Sequence, residues 1–193
     1  ICMELKRVVV TGLGAITPLG HNVADTWAAV VDGVSGAGPI TRFDASLFKT
    51  QFACEVKDFD PSLYFDRKEA RKYDRYAQYA VIAAKEGVED SGLDLEKVNK
   101  NRVGVIFAAG IGGIRTFEEE VGGFYLNEDK GPRFNPFFIP KMIADIAAGH
   151  ISMMYGFHGP NYATVSACAS STNALIDAFN NIRLGKADVI VTG

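Results

Sequence analysis

The chain has little of what several whole classes of protein are built from. Its three cysteines, Cys2, Cys54 and Cys168, are widely and irregularly spaced, which excludes a disulfide framework and a CxxC metal pair. This usage predicts a reducing, cytoplasmic compartment. No apolar run reaches the roughly 18 residues of a membrane span, and the first residues lack the basic-then-apolar pattern of a signal peptide. The net charge of −3 gives no general attraction for nucleic acid or an anionic membrane.

Histidine is equally scarce. The three histidines, His21, His150 and His158, show no short ligand spacing such as HxxxH. We therefore expect structural or surface roles for them and no metal site.

What the chain does contain is an alternation of two hydrophobic patterns. Short β-branched runs predict strands over 7–11, 102–108, 161–167 and 188–193. Apolar residues at helical spacing predict helices over 22–32, from about Tyr73 to a stop at Gly92, over 142–156, and to about Leu184. Strands alternating with helices predict an α/β protein whose mainly parallel sheet is covered by helices on both faces.

The ends of the chain carry two further expectations. Ile1 and Cys2 precede Met3 and are interpreted as a cloning remnant. The last residues, "DVIVTG", form an apolar strand with no cap, and an unpaired strand edge of this kind invites aggregation. We therefore expect residues 3–193 to be an N-terminal domain that lacks its last core strand and a C-terminal half.

Cys168 lies between the predicted strand 161–167 and the helix that follows. A helix N-terminus offers unpaired N–H groups and a partial positive charge, which favour a thiolate and can stabilise an oxyanion. The neighbours are small: Ala167, Ala169, Ser170 and Ser171. From the residues alone Cys168 can be a nucleophile or a small buried core residue.

The stretch "TVSACASSTNAL" resembles the active-site turn of the β-ketoacyl-acyl carrier protein synthases, which are condensing enzymes of the thiolase fold. The segments "RVVVTGLGAITPLG", "AAGIGGI", "PFFIP", "AGHISMMYGFHGPN" and "GKADVIVTG" resemble the family's corresponding segments in the same order. The resemblance runs from about Lys6 to Gly193 and is greatest to the elongating type II synthases. It implies the N-terminal half of a thiolase-like fold, with a buried helix that carries the nucleophile.

The resemblance also implies a reaction. An acyl group delivered on the phosphopantetheine of acyl carrier protein would move to Cys168, and a decarboxylated malonyl unit would then extend it in a Claisen condensation. No cofactor of the enzyme's own is implied. Two histidines and a lysine of the family's C-terminal half are not in this sequence, so we expect the chain alone to be inactive.

Further positions are assigned by the same resemblance. Ile111 matches a position that limits acyl length, and Phe138 lies in a segment that lines the acyl tunnel. The cations Lys68, Arg71 and Lys72 share one face at helical spacing and resemble the family's docking surface for the acidic carrier protein. A homodimer is expected, with no nucleic-acid or membrane partner.

Three alternatives stay open. One is another thiolase-fold enzyme, either a thiolase or an initiating synthase that accepts acyl-CoA. The second is a nucleotide-binding domain, because "GLGAIT" after a predicted strand is similar to GxGxxG, although Thr17 holds the third glycine position. The third is a silent, interaction-only subunit or a non-catalytic fragment of a condensing enzyme.

Overall fold

The computed structural model describes residues 5–127, 131 and 133–193, so the predicted remnant at Ile1 and Cys2 lies outside the described residues. The helices are α1 Val23–Val31, α2 Arg67–Ala70, α3 Arg75–Asp90, α4 Ile114–Leu126, α5 Phe138–Met142, α6 Ile146–Tyr155 and α7 Ser170–Arg183. The strands are β1 Gly38–Pro39, β2 Phe52–Ala53, β3 Val103–Ile106, β4 Asn161–Tyr162 and β5 Val189–Thr192.

The central sheet is parallel and has the strand order β4-β3-β5. Val103 of β3 is opposite Val189 of β5, and Val105 is opposite Asn161 of β4. Strands β1 and β2 form a separate antiparallel pair. The helices between consecutive parallel strands provide the crossovers that parallel pairing requires.

Helices cover both faces of β3. Val103 and Val105 pack with α3 and α6 in the larger core cluster, whereas Ile106 packs on the other face with Ala174 and Ala178 of α7. All four residues of β3 are buried. The prediction of a parallel sheet covered on both sides is therefore confirmed.

The predicted strand over 7–11 is wrong for this structure, because these residues pair with none of the described strands. Val10 is 78% exposed. A cavity of about 460 Å³ separates this segment from β5, with α7 along its side. Since strand formation depends on neighbours to pair and pack with, a β-branched run without such a neighbour does not join the sheet.

No described helix has both the length and the apolar character needed to cross a bilayer.

Candidate active site

Cys168 lies on an exposed turn at the start of α7. The turn, here called the cysteine turn, comprises residues 166–170 and includes a 3₁₀ segment, Ala167–Ala169, that leads directly into the helix. The thiol is free and exposed. The interpretation of Cys168 as a buried core residue is therefore wrong for this structure. Helix α7 itself is buried along one face only, through Ser170, Ala174 and Ala178.

The cysteine turn is held by a buried hydroxyl. Ser170 is only 4% exposed, and its Oγ accepts a hydrogen bond from Ser166 N–H at 2.8 Å and donates one to Ala167 O at 2.7 Å. Ala167 has φ 50°, a left-handed conformation that costs a residue with a Cβ about 1 kcal/mol. The two bonds bracket this residue and so stabilise the sharp turn that exposes the cysteine.

The backbone around Cys168 leaves a donor free. Among the described residues, no acceptor is hydrogen-bonded to Cys168 N–H. The N-terminus of the fourteen-residue helix α7 follows at once, and its aligned peptide dipoles make this end electropositive. An exposed thiol beside a free N–H at such a position can attack a carbonyl carbon and stabilise the oxyanion that results.

The histidines lie elsewhere. His150 packs on the ring of Tyr73 at 4.2 Å, and burial lowers its pKa. His21 Nε2 is 2.8 Å from Lys57 O, and the backbone N–H of His158 bonds to Lys100 O. Within the described ranges no histidine is hydrogen-bonded to Cys168, and no three His, Cys, Asp or Glu side chains are grouped to hold a metal ion.

The two predicted acyl-pocket residues belong to one local unit. Ile111, in the Ile111 loop (residues 110–113), is 69% exposed. Gly113 N–H of this loop donates to Met142 O at the end of α5, at 2.9 Å. Phe138 starts α5 and stacks on Phe134 with centroids 5.7 Å apart. The fold thus joins the loop of Ile111 to the helix of Phe138.

The predicted docking residues Lys68, Arg71 and Lys72, here called the basic patch, are all exposed. They do not begin one long helix. Lys68 is in the short helix α2, Arg71 follows as its C-cap, and α3 begins only at Arg75, because Asp74 caps a new helix there. None of the three forms an ion pair with an acidic residue in the described part of the chain. Their charge is therefore available to a partner.

The nucleotide-binding alternative rested on the glycine turn (residues 12–23). Two carboxylates face this turn and accept from three of its backbone N–H groups: Glu86 accepts from Ala15 and Val23 at 2.8 Å each, and Asp90 accepts from Leu13 at 2.9 Å. A phosphate-binding turn needs such N–H groups unbonded, and carboxylates that face the turn would repel the phosphate. The glycine turn therefore has a structural role in packing against α3 and is not a phosphate-binding site.

Two of these features were not predicted. Ser170 and the Glu86 carboxylate act through hydrogen bonds that depend on the folded chain, and the sequence analysis predicts for Ser170 only that it is a small neighbour of the thiol. A hydroxyl two residues after the cysteine, at the start of a helix, is the signal that could have indicated a local side chain-to-backbone bond.

Comparison with known proteins gives consistent relatives. The chain is 45% identical over 192 residues to "3-oxoacyl-[acyl-carrier-protein] synthase 2" of Synechocystis sp., covering 99% of this chain and 45% of that protein. It is 45% identical over 189 residues to the protein of the same name from Staphylococcus aureus, covering 97% of this chain and 45% of the relative. The chain thus spans about half the length of these curated relatives.

Solved structures agree on the fold. The ishigamide ketosynthase/chain length factor matches with a TM-score of 0.85 and 29% identity, covering 98% of this chain and 47% of that one. A type II PKS acyl-carrier protein in complex with its ketosynthase matches with a TM-score of 0.82 and 27% identity, covering 98% and 51%. The family model "Beta-ketoacyl synthase, N-terminal domain" matches residues 5–193. The chain therefore belongs to the β-ketoacyl synthase family.

Proposed function

We propose that this chain is the N-terminal half of an elongating 3-oxoacyl-[acyl-carrier-protein] synthase of type II, in which Cys168 accepts the acyl group. The observation that carries the proposal is the exposed thiol of Cys168 at the start of α7, beside its own unpaired N–H. The names of the 45% identical relatives support the subtype.

In the first half-reaction the Cys168 thiolate attacks the carbonyl carbon of an acyl-carrier thioester. The oxyanion that forms accepts a hydrogen bond from Cys168 N–H, which supplies one of the two donors such a site needs. The tetrahedral intermediate collapses, the bond to the carrier sulfur breaks, and the carrier thiolate takes up a proton. The acyl group is now a thioester of Cys168.

In the second half-reaction malonyl-carrier protein loses CO2, and the electron pair left on its carbon attacks the Cys168 thioester. A carbon–carbon bond forms, the bond to the sulfur of Cys168 breaks, and the thiolate is restored with a 3-oxoacyl-carrier product. Decarboxylation and the second oxyanion donor fall to two histidines and a lysine of the half that this sequence does not include. The acyl carrier brings its own phosphopantetheine, and the enzyme needs no resident cofactor.

Chain length is limited by Ile111, with Phe138 in the wall of the acyl pocket. The bond between the Ile111 loop and the end of α5 supports this assignment, because α5 carries Phe138, whose ring contacts those of Phe134 and Phe117. Large aromatic and branched side chains in a pocket can exclude the last few methylene groups of a long acyl chain. Each excluded methylene group loses about 0.8 kcal/mol of favourable burial.

The carrier protein docks on the basic patch. Its three unpaired exposed cations suit an acidic partner, since complementary charge mainly raises the rate and specificity of association. A solved relative is described as an acyl-carrier protein in complex with its ketosynthase, which supports a carrier as the partner.

Charge reversal of the basic patch tests the docking surface. Changing Lys68, Arg71 and Lys72 to Glu in the intact protein is expected to raise the KM for the carrier-bound donor by roughly tenfold or more, with a smaller change in kcat. Reversal of Lys49, Lys57 and Lys186, which are also exposed, changes the net charge equally and serves as control. Equal effects of the two triple variants would move the docking site elsewhere.

The reaction itself is tested by condensation in the intact protein. Acyl-carrier and malonyl-carrier protein should give a 3-oxoacyl product with the wild type and none with Cys168→Ala. Acyl-CoA should be a poor donor; if it is used as well as the carrier thioester, the assignment moves to a thiolase or an initiating synthase.

We also propose a homodimer in the cytoplasm; the description of one neighbour as a ketosynthase/chain length factor supports a paired assembly.

A further inference from the structure

Asp74 is a buried carboxylate that joins two helix starts. It is 7% exposed. Its Oδ1 accepts from Tyr76 N–H at 3.2 Å and so caps α3, and its Oδ2 accepts from both the N–H and the hydroxyl of Thr116 in the first turn of α4. Thr116 is itself only 3% exposed. Three donors converge on one carboxylate, which is a strong and directional arrangement in a buried site.

The same carboxylate abuts the Ile111 loop. A Cβ built on Gly113 would lie 3.1 Å from Asp74 Oδ2 and 2.4 Å from Lys141 O. Gly112 has φ +94°, and a Cβ there would be 2.5 Å from Met142 O. Gly112 and Gly113 are therefore packed tightly, with the end of α5 against both and Asp74 against Gly113.

Asp74 also lies two residues after the basic patch. The chain passes from Lys72 through Tyr73 to Asp74, and Asp74 then anchors the first turn of α4, which directly follows the Ile111 loop. One buried side chain thus fixes the spacing between the surface that binds the carrier and the residue that limits the acyl chain.

We propose that Asp74 is a positioning residue that sets acyl-chain-length selectivity by holding the Ile111 loop in place. The inference rests on the proposed function, because it takes Ile111 as the residue that limits the chain. The Asp74 carboxylate is hydrogen-bonded to Tyr76 and Thr116 and to no group of the cysteine turn among the described residues, so its role is to position the loop. When the bonds between Asp74 and Thr116 are weakened, the Ile111 loop can move, and the site then accepts longer acyl chains.

The substitution Asp74→Asn has a defined chemical effect. The carboxylate uses both of its oxygens as acceptors, whereas an amide offers one acceptor oxygen and one NH2 group. Whichever way the amide is turned, its NH2 faces an N–H donor, either that of Tyr76 or that of Thr116. Thr116→Val is a milder second variant, since it removes the hydroxyl bond and keeps the backbone bond.

Asp66→Asn is the matched control. Asp66 caps α2 next to the same patch and accepts from Lys68 N–H and Glu69 N–H, both through Oδ1. An asparagine can keep both bonds, so this variant removes the same charge near the basic patch without breaking the cap. It separates an effect of charge on carrier binding from an effect of position on the loop.

The experiment measures kcat/KM of the intact protein for medium-chain and long-chain acyl-carrier donors. We expect Asp74→Asn to raise the long-to-medium ratio about fivefold, Thr116→Val to raise it less, and Asp66→Asn to leave it unchanged, with the KM for malonyl-carrier protein near the wild-type value in all three. If Asp74→Asn does not fold, Thr116→Val decides by itself.

A wild-type ratio in both Asp74→Asn and Thr116→Val would overturn the inference, as would an equal loss for every chain length or the same shift in Asp66→Asn. These outcomes leave the proposed function intact, because Cys168 would still be acylated. Failure of the wild type to form an acyl adduct on Cys168 with any donor would instead overturn the proposed function and this inference with it.

Discussion

The glycine turn and the cysteine turn both lead into a helix, yet they treat their backbone donors in opposite ways. In the glycine turn, carboxylates of α3 accept from three backbone N–H groups, those of Leu13, Ala15 and Val23. In the cysteine turn, the Cys168 N–H has no acceptor among the described residues, and the hydroxyl of Ser170 fixes the shape of the turn from beneath. A reactive turn is therefore distinguished from a structural one by a backbone N–H group that no acceptor in the chain occupies, more than by the presence of glycine.

The comparison explains why a glycine pattern alone misleads. Gly12 and Gly14 are required because α3 passes against their backbone, where a Cβ on Gly14 would lie 1.8 Å from Ala83 O. Close helix packing demands glycine just as a bound phosphate does. A packed glycine turn differs from a phosphate-binding one in the groups that accept from its N–H donors. In this chain those acceptors are more than 60 residues away along the sequence.

The largest effect on the glycine turn is expected from Gly14→Ala. The new methyl group overlaps the backbone of α3, which cannot move as a flexible side chain can, so we expect a loss of several kcal/mol, about 3 or more, or failure to fold. Soluble yield and the urea midpoint of the intact protein measure this. Gly38→Ala is the control, since a Cβ there meets nothing within 4 Å; equal stability of the two variants would contradict the packing role.

A smaller effect is expected from Glu86→Ala, which leaves two N–H groups of the glycine turn without their carboxylate. Hydrogen bonds to charged acceptors are worth more than neutral ones, and the half-buried site admits some water, so we expect a loss of about 2 kcal/mol. Glu89→Ala removes only an exposed pair with Lys85 at 3.9 Å and should change stability by less than about 0.5 kcal/mol. If both variants unfold at the wild-type urea concentration, the carboxylate does not hold the turn.

The smallest effect concerns Asp188, which ties the N-terminal segment to the start of β5. Hydrogen bonds from Arg102, and then from Lys6, lower the pKa of Asp188 from 3.8 to about 2. A lowered pKa in the folded state stabilises the fold above pH 3.8, and this contribution is lost as the pH falls to about 2.

The measurement is the melting temperature of the wild type and of Asp188→Asn between pH 6 and strongly acidic pH. We expect the wild type to melt at a slightly higher temperature than Asp188→Asn at pH 6, and this difference to shrink as Asp188 is protonated. The difference should also shrink in high salt, because the ion pairs of Asp188 with Arg102 and Lys6 are exposed. A gap that stays constant down to the acidic end would show that the ion pair contributes nothing.

Local patterns in the sequence were sufficient for four of the described helices, α1, α3, α6 and α7, and for the position of the cysteine before a helix. The periodicity from Tyr73 to Gly92 predicted α3, and the residues around Cys168 predicted a helix start there but left open whether the thiol is accessible or buried. The strand predicted over 7–11 was wrong, because a β-branched run becomes a strand only where a neighbour can pair with it, and β5 is separated from this segment by a cavity.

The bonds that define the sites could not be read from local patterns. Asp74 could have been recognised as an N-cap before the helix of Arg75–Asp90. Its second bond, to Thr116, spans 42 residues and depends on how α3 and α4 meet. The same holds for Glu86, whose partners belong to a turn that precedes it by more than 60 residues.

The most direct test of the central claim is to locate the acyl group after the intact protein reacts with a long-chain acyl-carrier protein. Peptide mass mapping compares two exposed free cysteines, Cys168 and Cys54. We predict the acyl mass on the peptide that contains Cys168, none on Cys54, and no adduct in Cys168→Ala. Acylation of Cys54, acylation that persists in Cys168→Ala, or no adduct at all would contradict the assignment of Cys168 as the nucleophile.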